Sequence, residues 1–417
     1  MISTKSLNKL GLLGCLYVSQ FLPTAFLYQA LPVFMRQQGV SLKTISFLSL
    51  LILPSALNFL WSPLIDRYSF TTLGHYRFWI ICLQVLIACT TVIGGLLNIE
   101  HNVTALLICL FVMCFLCACQ NIATDALALG LLEVRERSLG NGVQMGGNYL
   151  GAVIGGGWML SLLNYWGWMA TMLTLAFLVV VALFPILRYE EPNRNNQQVS
   201  QTKLDSQRST PALMNLVKFF RRQGMWRWLL VLLLYMKGSI MASTMYRLLL
   251  VDIGLSLSEI GLLLGVVSYT VGIFGAIAAG FLINPLGRKR SLILFGLFQA
   301  VAMMTYLLPA SGVTSLPILY LVAIVVQFSV SLTSTAVFTI VMDKSELETA
   351  GTDQTIQSSI LSFSGISAAA ISGVIAESFG YQGVFVLGVV ITLLSVVITA
   401  RVFDETRSTQ DSPLISG

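Results

Sequence analysis

The sequence predicts an all-α polytopic membrane protein with twelve transmembrane helices in two six-helix bundles. Three observations carry that expectation. Hydrophobic residues make up 56% of the 417 and charged residues only 10%, against about 25% charged in a soluble globular chain. Mean hydropathy is +0.82. Apolar runs of about 20 residues, the length that crosses a bilayer, recur along the whole sequence, with the basic residues in the short stretches between them. The net charge of +6 is therefore no nucleic-acid signal, and the surrounding partner is the lipid bilayer.

The twelve spans are read at 10–35, 41–64, 78–98, 105–132, 140–164 and 167–187 in the first half. In the second half they are read at 226–251, 258–284, 291–309, 316–342, 352–376 and 382–402. The domains follow: a first bundle over 1–187, a linker over 188–225, a second bundle over 226–402 and a tail over 403–417. Lys5 and Lys9 before an apolar run imitate a secretory signal. The run is too long and lacks a small-x-small cleavage site, so it reads as the first span. The linker's Asn193-Arg-Asn-Asn-Gln-Gln-Val-Ser-Gln-Thr is too polar to bury a core. Pro211 to Arg222 reads as an amphipathic surface helix leading into span seven.

Orientation follows from Lys and Arg, which concentrate on the cytoplasmic side. Of the 24, Arg36 and Lys43 fall in the first outer loop, and Lys237 and Arg247 within span seven. All the others fall on the side shared by the N-terminus, the linker and the tail. That side is expected to be the cytoplasm of a bacterial inner-membrane protein, with both termini inside.

Span four carries Gln120-Asn-Ile-Ala-Thr-Asp125 in the middle of an apolar run. A carboxylate at that depth costs about 2.5 to 3.5 kcal/mol on insertion scales, and such residues mark ion or substrate pathways. Asn121 and Asp125 are four apart and share one helical face. Span one carries Gln20, Thr24 and Tyr28 at the same spacing, with Gln29 beside them, and span five carries Gln144 and Asn148. Lys237 and Arg247 on span seven and Gln327 on span ten add donors that suit an anionic ligand. The expected substrate and ion pathway is thus Gln20, Tyr28, Gln29, Asn58, Gln120, Asn121, Asp125, Gln144, Asn148, Lys237, Arg247 and Gln327. The competing readings are helix-to-helix hydrogen bonds for the amides, snorkelling for Arg247, and an ion pair of Asp125 with Arg135 or Lys237.

Span five opens Gly140-Asn-Gly-Val-Gln-Met-Gly-Gly-Asn-Tyr-Leu-Gly-Ala-Val-Ile-Gly-Gly-Gly157. Gly142 and Gly146 form one row at four-residue spacing; Gly147, Gly151 and Gly155 form another. Small residues so placed let helices approach closely in lipid. No Gly-Lys-Ser/Thr follows, so this is not a phosphate loop, and no cofactor is expected. All seven cysteines lie in apolar segments and read as small reduced hydrophobes. With both histidines, His75 and His101, in loops, no metal cage is expected. The same shortage of catalytic groups speaks against a membrane-embedded enzyme.

The loop after span two reads Trp61-Ser-Pro-Leu-Ile-Asp66-Arg67 and then Gly74-His-Tyr-Arg77. The loop after span eight, about half the chain later, reads Gly280-Phe-Leu-Ile-Asn284-Pro-Leu-Gly287-Arg288-Lys289-Arg290. It resembles the Gly-x-Leu-x-Asp-x-x-Gly-Arg-Lys-Arg signature of the major facilitator superfamily, with Asn284 in place of the acid. That resemblance implies two six-helix repeats around a midplane substrate site. It also implies a cytoplasmic gate built from Asp66, Arg67, Arg77, Gly287, Arg288, Lys289 and Arg290.

Leu53-Pro-Ser-Ala-Leu-Asn58-Phe-Leu-Trp61-Ser-Pro-Leu-Ile-Asp66-Arg67 and Gln120-Asn-Ile-Ala-Thr-Asp125 resemble motifs of the AmpG-like permeases. Asn58 and Asn121 stand where that group carries Lys and Asp. The run from Gln20 to Pro32, with Leu139-Gly-Asn-Gly-Val-Gln144, looks closer to the RhtX/FptX siderophore importers of the same group. The resemblance implies a monomeric secondary transporter of a small molecule. A siderophore is the expected cargo and protons the expected coupling ion. The alternatives are muropeptide or peptide import and drug or metabolite efflux.

Overall fold

The computed structural model of the chain describes residues 4–31, 53–68, 74–97, 103–189 and 212–403. Among these, nine helices are long and apolar enough to cross a membrane. Most of span two, Arg36, Lys43 and residues 190–211 of the linker lie outside the described residues.

Span one runs Thr4–Ala25 and opens into a π turn at Phe26–Ala30, just after Pro23 removes a backbone donor. Spans three and four are His75–Leu96 and Val103–Leu131. Span five starts as Arg137–Ala152, passes through a π turn at Val153–Trp158 and runs on into Met159–Val181. Only Gly167, with φ 77°, breaks that rod and separates span five from span six. Spans eleven and twelve repeat the device: Ala350–Val402 is continuous except at Gly380, φ 68°. Gly74 (φ 103°) before span three and Gly287 (φ 82°) before span nine form a second matched pair. The same sequence interval separates both pairs, so the two halves turn their chains at corresponding points. Only glycine occupies that left-handed region without strain. With both long rods divided at their glycines, and the end of span two described at Leu53–Ala56, Asn58–Leu60 and Ser62–Arg67, the helices account for twelve spans.

The glycine rows of span five face two different neighbours. A Cβ at Gly147, Gly151 or Gly155 would meet span one, at 3.0 Å from Tyr17 Cβ, 3.0 Å from the Val18 carbonyl and 2.2 Å from the Leu22 carbonyl. A Cβ at Gly142 would meet the Ala276 carbonyl of span eight at 2.8 Å. Span five is therefore clamped between its own half and the other. In the second half span seven is two helices, Met225–Tyr235 and Lys237–Asp252, broken at Met236. A Cβ at Gly238 would lie 2.2 Å from the Gly388 carbonyl of span twelve and 2.5 Å from Thr392 Oγ1. Gly238→Ala is expected to cost roughly 1–3 kcal/mol through overpacking. It should lower the thermal unfolding temperature of the purified protein by several degrees; an unchanged melt would show that spans seven and twelve separate freely here.

Candidate functional site

Asp125 is 7% exposed. Its Oδ1 accepts hydrogen bonds from the Tyr17 hydroxyl of span one and from Gln144 Nε2 of span five, both at 3.0 Å. Its backbone carbonyl accepts from Gln354 Nε2 of span eleven at 2.9 Å. Spans one, five and eleven thus converge on one residue of span four. Both side-chain donors are neutral and both land on Oδ1, so Oδ2 lies outside these two bonds. Among the described residues Asp125 forms no ion pair. Lys237 is half-buried at the break in span seven, and Arg135 offers its backbone carbonyl to Asn284.

One turn along, Gln20 Nε2 donates to Asn121 Oδ1. Several buried polar atoms on these spans and on span two have no hydrogen-bond partner: Gln20 Oε1, Gln120 Nε2 and Thr124 Oγ1, with Asn58 Oδ1 and Trp61 Nε1 on span two and Asn148 Oδ1 on span five. A buried polar atom left unpaired costs about 1–3 kcal/mol, so such a concentration calls for an account. The unpaired atoms comprise amide oxygens, an amide NH₂, a hydroxyl and an indole N–H. The remaining span-one residues diverge. Tyr28 lies beside Cys114 and Thr24 beside Cys117, the Thr24 hydroxyl donating to the Gln20 carbonyl at 3.4 Å, while Gln29 reaches Tyr269 of span eight at 3.5 Å. Arg247 and Gln327 line a separate cavity within the second half.

At the linker end the halves are tied together. Asp66 Oδ1 accepts from Gly351 N and Tyr76 Oη, both 3.0 Å, and Oδ2 from Thr352 N and Oγ1, both 2.7 Å. Asp66, on span two, therefore caps the N-terminus of span eleven, where free N–H groups and the helix dipole favour an anion. Burial pushes the Asp66 carboxyl above its ordinary pKa, and the donors from Thr352, Tyr76 and Gly351 pull it back. Next to it, Thr355 Oγ1 donates to Ser62 Oγ at 2.8 Å.

Arg288 links Asp343 Oδ2 (2.8 Å), Asn284 Oδ1 (2.7 Å) and the Val134 carbonyl just past span four (3.0 Å). Arg137 of span five meets the other oxygen of Asp343 at 3.0 Å. Arg77 donates to the Ile186 and Leu187 carbonyls at the end of span six, within its own half. Gly287 makes the turn that begins span nine. Arg67 and Arg290 are exposed and Lys289 is half-buried.

Sequence reasoning missed Arg137, Asp343 and the span-eleven backbone, and it missed Arg222. This last residue follows the linker helix Ala212–Arg221 and pairs with the fully buried Asp353 at 2.5 Å and with Glu346 at 3.2 Å. Glu136 holds span one's start through Ser6 and Lys9. Burial raises its pKa, but those donors and the Glu133 N–H leave it below its ordinary value.

The family model of the Major Facilitator Superfamily matches residues 13–368 and 253–415. The anhydromuropeptide permease of Escherichia coli K12 is 29% identical over 283 residues, which is 67% of this chain and 56% of the permease. The chain thus matches little more than half the length of that relative. A putative transporter AmpG 4 of Rickettsia conorii is 21% identical over 89% of this chain and 91% of its own. Among solved structures, the E. coli fucose:proton symporter superposes with a TM-score of 0.71 at 13% identity, covering 95% of this chain and 98% of the symporter. The human organic anion transporter MFSD10 gives 0.68 at 16% identity, over 95% and 100%.

Proposed function

We propose that this chain, which belongs to the Major Facilitator Superfamily, is an AmpG-type permease that imports a polar sugar–peptide solute of the muropeptide class. It works as a monomer in the bacterial inner membrane by alternating access, with protons as the coupling ion. The observation that carries this reading is the set of unpaired buried amide, hydroxyl and indole groups on spans one, two, four and five, of which spans one, four and five meet at Asp125. Sugar hydroxyls and peptide amides supply the matching donors and acceptors.

Asn58 and Asn121 replace residues that are charged in the group the chain resembles. The Asn121 oxygen takes a neutral donor, Gln20, and the Asn58 oxygen is unpaired, so the site has exchanged a charge pair for hydrogen-bonding capacity. The named relatives support the muropeptide class better than the siderophore suggested by the span-one motif. The linker end is assigned to the cytoplasm because the basic residues gather there. There Asp66, Arg288, Arg137 and Asp343 serve as the inner gate, shut in this conformation, and Asp125 Oδ2 serves as the proton acceptor.

The test is uptake by proteoliposomes of radiolabelled anhydromuramyl tripeptide against radiolabelled ferric siderophore, each under an imposed proton gradient. Accumulation of the tripeptide alone is expected. Accumulation of the siderophore alone would replace the cargo and keep the transporter.

A further inference from the structure

The cavity in the second half is lined by Ser243, Tyr246 and Arg247 of span seven, Tyr269 of span eight, Tyr306 of span nine and Gln327 of span ten. Its aromatic walls are held from behind. Tyr246 and Tyr306 have ring centroids 4.5 Å apart, and Tyr306 stacks on Phe385 at 5.1 Å. Tyr269 stacks on Tyr149 of span five at 5.7 Å. The Tyr149 hydroxyl is itself fixed by Ser331 Oγ at 3.2 Å. The rings therefore form an aromatic box, and Arg247 lines the same cavity.

Arg247 is exposed, within electrostatic reach of Tyr269 and Tyr306, and among the described residues it is in no ion pair. The next acid on its own helix, Asp252, is engaged by the Tyr381 hydroxyl at 2.5 Å. A guanidinium carries five N–H donors in a planar fork that fits a carboxylate bidentately. Left among phenols and an amide, its charge and fork are unused. Snorkelling to the headgroups would account for a lone arginine near a helix end. It would not account for a tyrosine box built around that arginine.

We propose that this cavity is a carboxylate subsite for the transported solute, in which Arg247 binds a free peptide carboxylate of the solute, with the Tyr269 hydroxyl and the Gln327 amide beside it. The proposal rests on the transport reading above and adds the charge of the solute and the half of the protein that reads it. The first bundle then recognises neutral polar groups and the second bundle the anionic end. A solute gripped by both halves is what alternating access requires, because its release is tied to their relative motion.

The experiment is calorimetric titration of the purified full chain in detergent with anhydromuramyl tripeptide as the free acid and with the same compound methyl-esterified at its peptide carboxylates. The acid is expected to bind at least about tenfold more tightly than the ester. Arg247→Gln should remove that preference, and Arg247→Lys should retain part of it. Tyr269→Phe deletes one hydroxyl; it should weaken the acid several-fold and leave the ester unchanged, a second reading should the Arg247 variants fold poorly. Equal affinities in the unmodified protein, no binding of either compound, or a preference that survives Arg247→Gln would each overturn the subsite. An intact acid preference with no tripeptide uptake would keep the subsite and remove the muropeptide cargo.

Discussion

Asp66→Ala is expected to open the linker end without touching the substrate. The substitution removes four donors' worth of hydrogen bonding at the start of span eleven, from Gly351, Thr352 and Tyr76. Hydrogen bonds to a charged acceptor contribute about 1.5–3 kcal/mol, and losing a helix cap costs about 1 kcal/mol. A loss of roughly 2 kcal/mol from the closed state alone shifts the population about 30-fold toward opening. The check is a cysteine at Ser62, which is buried against Thr355. Its labelling from the linker side should rise by an order of magnitude in the Asp66→Ala background. Transport should slow, while equilibrium ligand affinity stays within a few-fold. Unchanged labelling, or complete loss of binding in folded protein, would take Asp66 out of the gate.

Asp125→Asn is expected to abolish accumulation against a gradient while leaving facilitated exchange at least partly intact. The geometry makes this variant unusually clean. Tyr17 and Gln144 both donate to Oδ1, and an asparagine oxygen can take both bonds. The new amide NH₂ then sits where Oδ2 was, outside either bond. Shape and the helix-to-helix ties persist, and only the ability to carry a proton is lost. Wild-type accumulation by this variant, insensitive to collapse of the proton gradient, would make Asp125 structural.

The fold was legible because bilayer thickness dictates the length of apolar runs, and the two halves repeat their loop chemistry. The turns at Gly167 and Gly380 were legible as well, since they fall at the boundaries read between spans five and six and between spans eleven and twelve. The break at Met236 leaves no composition signal at all. In the site, Asp125, Gln144, Gln20 and Asn121 were legible as polar residues at helical spacing inside apolar runs.

Tyr17 lies one turn before Gln20 on the same face, so extending that stripe backwards would have found it. Thr24 and Tyr28 belong to the same stripe but meet cysteines, because the π turn at Phe26–Ala30 and the path of span four change what faces them. Arg137, Asp343 and Asp353 were not legible. A lone charge at a span's end looks like an interfacial anchor until its partner in the other half is seen. Tyr246, Tyr269 and Tyr306 look like core aromatics for the same reason.

The central claim is that Asp125 carries the proton that drives transport. It is tested most directly by trapping a pH indicator inside proteoliposomes and adding anhydromuramyl tripeptide outside, with no imposed gradient. The wild-type protein is predicted to acidify the lumen as solute enters down its own concentration gradient, and Asp125→Asn to give no pH change while still exchanging labelled for unlabelled solute in vesicles preloaded with the tripeptide. Solute entry through the wild-type protein with no acidification, or equal acidification by the Asn variant, would contradict it.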